Sequence, residues 1–403
     1  MPVLRDANAS KVGQAHHEFL QTGGHDDLSR QTYVSALRMH ILNQIGGGMR
    51  DVFERRVKPN FKKEQGREPQ DQHEVRRAML KDHYGRTWSS MMRACQEMVW
   101  DSVIPVIERA QPDLNDRIRG INARHGSVEL NPDVNLPRYL TATDIHIMPG
   151  NYYTERTSDD ATQAALYDRG VYVYQNGFAG PYCDGIGRSM AEFIKQRFPD
   201  LRPKRILDVG CTVGHNTVPF TEVFPDAEVH AVDVAAPNIR YAHARSESLE
   251  KPIHFHQMNA ENMTFEDNSF DLVLSVIMFH ETSRVGLRNI LRECHRVLKP
   301  GGMTIHCELP RTTDMDIFDA FYIDWDAYYN NEPYYAAYTK TDMKEVMEKA
   351  GFNGETYVQD MIPDFYMSSA EEFLAAAVGN KKKDDAHGRW GETVKWTTYS
   401  AWK

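Results

Sequence analysis

Between Lys204 and Leu309 the chain repeats one alternation, a short apolar run followed by a segment of another texture. The apolar runs are KRILDVG (Lys204 to Gly210), EVHAVDV (Glu228 to Val234), PIHFHQMN, SFDLVLSVIMFH and MTIHCEL. Helical spacing appears in VGHNTVPFTEVFP, APNIRYAHARSESLE and SRVGLRNILRECHRVLKPGG. Strands this apolar leave no face for water, so they predict a parallel sheet covered by helices on both sides. Two more strand-like runs, FNGETYVQD and ETVKWTTYSAWK, close the chain. A helix and a loop containing Lys381-Lys382-Lys383 and Asp384-Asp385 separate them.

The first 150 residues have a different texture and read as a mostly helical N-terminal domain. Val34, Leu37, Ile41 and Ile45 fall at helical spacing, and Gly46-Gly47-Gly48 is expected to stop or hinge that helix. A long helix is predicted over His73 to Ala110, bent or broken at Pro105. KPNFKKEQGREPQDQ reads as a solvated connection, and Gln111 to about Asp160 as irregular chain. Residues 151–200 read as a lead-in that covers the following domain, which runs over 201–403. No internal repeat is visible.

Charge narrows the partners. The 403 residues carry 47 Lys and Arg against 57 Asp and Glu, a net of -10. The first 150 residues are nearly balanced, so the deficit lies in the sheet-forming part. That argues against a nucleic-acid substrate, whose backbone selects a basic domain. Five cysteines, Cys95, Cys183, Cys211, Cys294 and Cys307, include no C-x-x-C pair. This fits a reducing cytoplasm and argues against a disulfide framework or a structural zinc site. The longest apolar run, Leu272 to Phe279, is far short of the ~20 residues a membrane span needs, and the first residues carry no apolar core of a signal peptide.

Chemistry concentrates where the first two strands of this sheet end. Asp208-Val209-Gly210-Cys211-Thr212-Val213-Gly214 is a glycine turn. Gly210 permits the tight turn, and Gly214 lets the next helix start against the sheet with its N–H groups aimed at a ligand. Asp233 ends the second strand, where a carboxylate can accept from both hydroxyls of a ribose. The pattern points to a nucleoside-containing cofactor and does not by itself separate a nicotinamide dinucleotide from S-adenosylmethionine.

The run ILDVGCTVG, then AVDV, NAENMTFEDNSFDLVLS, FHE and RVLKPGG resembles the class I S-adenosylmethionine-dependent methyltransferases, above all the ubiquinone and menaquinone biosynthesis type. The resemblance covers about residues 160–360 and extends toward the C-terminus. It implies a Rossmann-like seven-stranded sheet with helices on both faces, and S-adenosyl-L-methionine as cofactor. It implies that Asp208, Gly210 and Cys211 lie beside the methionine moiety, with Ser275 near it. Asp233 would bind the ribose, Val234 would pack on the adenine, and Asn259 and Ala260 would meet the adenine edge. Thr212 stands where the family usually has glycine, and Asn259 where it usually has Asp.

The implied reaction is methyl transfer to a small aromatic or hydrophobic molecule, with oxygen favoured over carbon. A phenol would need a base, and His280 with Glu281 beside it is the candidate. No metal is expected, since no third ligand is evident near that pair. The segment from Asp319 to Tyr338 is dense in aromatics, including Tyr322, Trp325 and Tyr329. Within an insertion over 311–340 it reads either as an aromatic lid, or a cage for a cation, or as a packed hairpin or dimer surface. Tyr153, Tyr167 and Phe279 are further candidates for contact with the ligands. The N-terminal helices are expected to complete the pocket or to build a homodimer. The rival readings are an RNA or protein methyltransferase and a non-catalytic scaffold that keeps the cofactor fold. His16-His17 and His25 read as a solvated face, and Met79, Met91, Met92 and Met98 as helix core.

Overall fold

The computed structural model describes residues 13–309, 311–379 and 395–403. The loop with Lys381-Lys382-Lys383 and Asp384-Asp385 lies outside the described residues. The helical part opens with α1 (His25–His40) and holds the long α2 (His83–Arg119). Helices α3 (Thr162–Gln175) and α4 (Gly185–Arg197) lead into the sheet. Helices α5 (Ala236–Ser248) and α6 (Arg284–Val297) cross between strands, and α7 (Ile317–Tyr329) forms the aromatic insertion.

The strands are β1 (Ser127–Glu129), β2 (Arg205–Val209), β3 (Glu228–Asp233), β4 (Ile253–Gln257), β5 (Phe270–Val276), β6 (Leu298–Glu308), β7 (Val358–Pro363) and β8 (Lys395–Trp402). They form one sheet in the order β1-β4-β3-β2-β5-β6-β8-β7. All neighbours are parallel except β8, which runs antiparallel to β6 and β7. The sheet has eight strands where seven are predicted. The extra one, β1, is three exposed residues with no apolar alternation, and it pairs in parallel with β4. Only tertiary pairing makes it a strand.

Alternation along β2 sets the two layers. Ile206 faces a core built with Met190, Phe193 and Ile194 of α4 and Ile239 and Ala242 of α5. Leu207 and Val209 face Leu287, Ile290 and Leu291 of α6. All are buried, and each such side chain contributes ~1.5–3 kcal/mol when removed from water. The chain runs from β2 outward through β3 to β4, then returns to β5 on the other side of β2. The crevice at the carboxyl ends of β2 and β5 is the place where such a sheet binds its ligand.

The helical part differs from the sequence reading at several points. The predicted long helix is interrupted at residues 80–82, giving a short helix (Gln72–Met79) and then α2. Pro105 does not break α2, which continues through it and Pro112 to Arg119. Burial of Trp100, Val103, Val106 and Ile107 along one face outweighs the lost backbone bonds. Gly46-Gly47-Gly48 form a 3-10 turn within a run that stays helical to Gln65, so Lys58–Gln65 is helix rather than connection. His17 is buried at 4% exposure and belongs to no solvated face. Its ring reaches Asp168 at 2.8 Å. The N-terminal helices share one core with α3, Tyr241 and Ala244 of α5, and Phe318, Phe321 and Trp325 of α7.

At the β1 edge, His230 of β3 packs against His254 and His256 of β4 at ring distances of 5.0 and 5.3 Å. Burial pushes His230 down to about 4, and the bond to Glu228 only partly opposes this. Its pKa is therefore lower folded than unfolded, so its contribution is intact above about pH 6.5 and is lost as pH falls toward 4. Denaturant unfolding at pH 7.5 and 5.0 should show His230→Gln losing roughly 2 kcal/mol less than wild type over that interval. Equal losses in the two proteins would remove His230 from this role.

Candidate active site

The loop after β2 is clamped to its neighbour. Gly210 and Cys211 both donate backbone N–H groups to the Val232 carbonyl, at 2.8 and 3.0 Å. Gly210 has φ +79°, and a Cβ there would lie 2.4 Å from Met278 Sδ. Thr212, in place of a glycine, still adopts φ +48° and donates its N–H to Asp233 Oδ2 at 3.0 Å. Gly214 has φ +74° and packs beside the Phe255 ring. The helix predicted to start at Gly214 begins four residues later and is short, Val218–Val223. Residues 214–217 form a turn instead, because His215 is drawn to Asp168 at 2.8 Å and Thr217 donates to Asp208 at 2.5 Å. No helix N-terminus therefore points at a ligand here.

Asp208 is buried, and its Oδ1 has no hydrogen-bond partner. Burial pushes its carboxyl up to about 7. Asp233 is raised by burial, against bonds from the Ala235 and Thr212 backbones. An orphaned carboxylate oxygen and a cradle that a Cβ would fill are what a nucleoside cofactor with a charged amino-acid end requires.

These groups open into a cavity of about 550 Å³. Asp208, Gly210, Cys211, Asp233, Val234, Asn259 and Ala260 all line it. So do Tyr167, His280, Glu281, Tyr322 and Trp325. Five predicted residues are elsewhere. Ser275 is fully buried and bonded to His306 at 2.8 Å. Phe279 is buried against the His306 ring at 4.6 Å. Gly214 lies behind the turn, and Tyr153 is half-buried outside the cavity. Tyr329 stacks behind Trp325 at 5.1 Å. Asn259 Oδ1 already accepts from the Glu261 N–H at 2.9 Å. Arg38, Leu42, Trp88 and Met92 of the N-terminal helices also line the cavity.

Beyond β5 stands a buried row of alternating carboxylates and imidazoles. Glu308, fully buried, accepts from the Met278 N–H at 2.9 Å and from the Phe279 N–H. Its Oε2 lies 2.8 Å from His280 Nδ1. His280 Nε2 faces Glu281 Oε1 at 3.6 Å, and His146 Nε2 approaches the same oxygen at 2.9 Å. His146 Nδ1 is 3.0 Å from Glu332 Oε1. Burial opposes charge on His280, but Glu308 and Glu281 outweigh it and push it up to about 9. Glu281 Oε2 has no partner. Asp326, also on the cavity wall, is pushed up to about 7 by burial and then by Glu332.

Sequence reasoning missed His146, Glu308 and Glu332. His146 stands in irregular chain with no motif, while Glu308 lies in a run read only as an apolar strand and Glu332 in a segment read only for its aromatics. It also missed Asp168, which collects Gln14, His17, His215 and Tyr241 on one buried carboxylate. Burial opposes that charge, and the two histidines outweigh it to hold Asp168 well below the usual carboxylate range. Tyr139 and Pro137 on the Asn259 side of the cavity were hidden by the irregular chain around them. Among the described residues, no group of three or more His, Cys, Asp or Glu is placed to hold a metal ion. Among them, too, no helix is long and apolar enough to cross a membrane.

Residues 206–302 match the family model described as a methyltransferase domain. With the sheet and glycine turn described above, this part of the chain is a class I S-adenosylmethionine-dependent methyltransferase domain. It is similar to "Probable phthiotriol/phenolphthiotriol dimycocerosates methyltransferase 2" of Mycobacterium ulcerans, 32% identical over 121 residues, 30% of this chain and 45% of that protein. It is also similar to demethylmenaquinone methyltransferase of Thermus thermophilus, 33% identical over 108 residues, 27% of this chain and 48% of that protein. The chain spans about half the length of the curated relatives it matches. Among solved structures the chain is similar to phosphoethanolamine N-methyltransferase 2 of Haemonchus contortus, with TM-score 0.42 and 20% identity, covering 59% of this chain and 58% of that one.

Gly210→Ala adds a side chain where both φ and the Met278 contact oppose it. S-adenosylhomocysteine affinity by titration calorimetry should fall at least tenfold. Wild-type affinity would show that the ligand does not approach this turn.

Proposed function

We propose that this chain is an S-adenosylmethionine-dependent methyltransferase whose acceptor is a small molecule with an aromatic or apolar body, methylated on oxygen. The observation that carries the reading is one continuous cavity lined both by the Gly210–Asp233 cradle and by Glu281, whose buried Oε2 has no hydrogen-bond partner. Its volume suits a small ligand. When bound, the cofactor supplies a methyl group already activated on a positively charged sulfur.

The chain's own residues then have three tasks. Asp208, Gly210 and Asp233 hold the cofactor, with Val234 and Ala260 beside its base. Trp88, Tyr322 and Trp325 form the substrate wall and exclude water, which favours alignment of the reacting atoms. Trp325 is fixed by its Nε1–H donating to Ser89 at 2.7 Å. Glu281 Oε2 accepts the proton that a substrate hydroxyl loses. His280 is a poor proton acceptor at neutral pH, because Glu308 keeps it charged. It positions Glu281 instead.

Isotope-labelled methyl transfer into small-molecule extracts of the native host, followed by mass identification, tests the reaction. A labelled small product is expected, and Glu281→Gln should lower kcat on the order of 100-fold, as loss of a general base does. Label appearing only in RNA or protein would overturn the substrate class. The pH profile separates the two candidate bases. His280 loses its proton as pH rises through about 9. If its charge holds Glu281, kcat falls above that pH. A rate that climbs tenfold per pH unit toward 9 would make His280 Nε2 the base.

A further inference from the structure

His146 lies in the irregular chain between α2 and α3, which no motif marks. Its backbone is left-handed at φ +55°, and Ile147 follows at φ +49°. Two successive non-glycine residues in that region are strained, and such strain persists only where the surroundings enforce it. Here the enforcing contacts are visible. The His146 carbonyl accepts from Trp100 Nε1 at 2.9 Å and from Gln96 Nε2 at 3.2 Å, both on α2. The ring then projects between two carboxylates of different segments, Glu281 at 2.9 Å and Glu332 at 3.0 Å.

We propose that His146 is a positioning residue for Glu281. By bridging Glu281 and Glu332 it occupies one oxygen of the proton-accepting carboxylate, leaves the other without a hydrogen-bond partner, and ties the aromatic insertion to it. The proposal rests on the methyltransferase reading of the same site. Both ring nitrogens of His146 meet carboxylates, and Nδ1 also lies 2.9 Å from the Asn330 side-chain amide, so the ring holds and does not exchange a proton with substrate. Without it, Glu281 Oε1 has only His280 Nε2 opposite, at 3.6 Å, beyond hydrogen-bond distance. The carboxylate would then be free to turn either oxygen to the cavity. Burial disfavours charge on His146, and the two carboxylates outweigh it, raising it well above the ordinary histidine value.

The groups around the bridge come from every neighbouring element. His280 follows β5, Glu308 ends β6, Asp326 and Glu332 belong to the insertion, and Arg38 reaches in from α1. Tyr152 meets the His146 ring edge-on at 6.5 Å.

Two measurements test the proposal. In the first, His146→Gln and His146→Ala are compared with wild type in labelled-methyl turnover, with folding checked by circular dichroism. His146→Ala should lower kcat at least tenfold, with S-adenosylhomocysteine affinity within twofold. His146→Gln, which keeps one donor, should recover part of the loss. A kcat within twofold of wild type in the alanine variant would overturn the proposal. The second measurement needs no turnover. Imidazole 15N resonances of the full chain should show His146 protonated on both nitrogens at pH 7.5. Glu281→Gln should lower its titration midpoint. A ring that titrates near the ordinary value and ignores Glu281→Gln would overturn the bridge. Absence of any labelled product from wild type that binds S-adenosylhomocysteine would defeat the methyltransferase reading instead, and the nitrogen spectra would still decide whether His146 holds Glu281.

Discussion

Four carboxylates, Glu281, Glu308, Asp326 and Glu332, stand around one end of a single cavity. Removing so many like charges from water is very costly unless cations are brought to the same place. The cations here are imidazoles and one guanidinium, from His280, His146 and Arg38. They arrive from three separate stretches of chain. This requirement dictates much of the surrounding architecture. The linker must take a left-handed turn to deliver His146. The insertion must fold back far enough to bring Glu332 to it. A missing partner would leave a buried charge uncompensated, so the end of the cavity assembles as a unit.

The helical N-terminal part is therefore more than an appendage. Its buried side chains share one core with α3, α5 and α7, and residues of α1, α2 and the turn between them wall the cavity. Trp88 packs against Trp325 at 4.5 Å and against Tyr322 at 5.1 Å. The aromatic insertion is thus both a cavity wall and a packed hairpin. The two readings of its composition are faces of one helix.

What could be read in the sequence was what repeats or what glycine marks. The strands β2 to β6 announce themselves by continuous apolarity, and Gly210 and Asp233 by their places at strand ends. Gly210 and Asp233 line one cavity, as do Asp208, Cys211, Val234, Asn259 and Ala260, for which the family resemblance supplied roles. The rest was hidden for physical reasons. β1 is made by its partner strand and not by its own residues. Pro105 predicts a break only where burial does not override it. The turn at 214–217 depends on His215 reaching Asp168, which is distant in sequence. His17 carries no apolar pattern, yet it is buried because a carboxylate awaits it. Ser275 and Phe279 sit at the right strand end but turn away from the cavity, toward His306. Strand alternation fixes that side for Ser275 and the 3-10 turn after β5 fixes it for Phe279, and a motif reports neither.

Asp168 has one more implication. Its two oxygens are shared by Gln14 and His17 at the beginning of the described chain, by Tyr241 on α5, and by His215 in the turn behind the cofactor cradle. Anything that tightens the turn on binding also tightens the grip on residues near position 17, and coupling of this kind is reciprocal. Occupancy of the cradle would then be felt as slower amide exchange in a stretch almost two hundred residues upstream, and loosening that stretch would weaken the cradle by the same free energy.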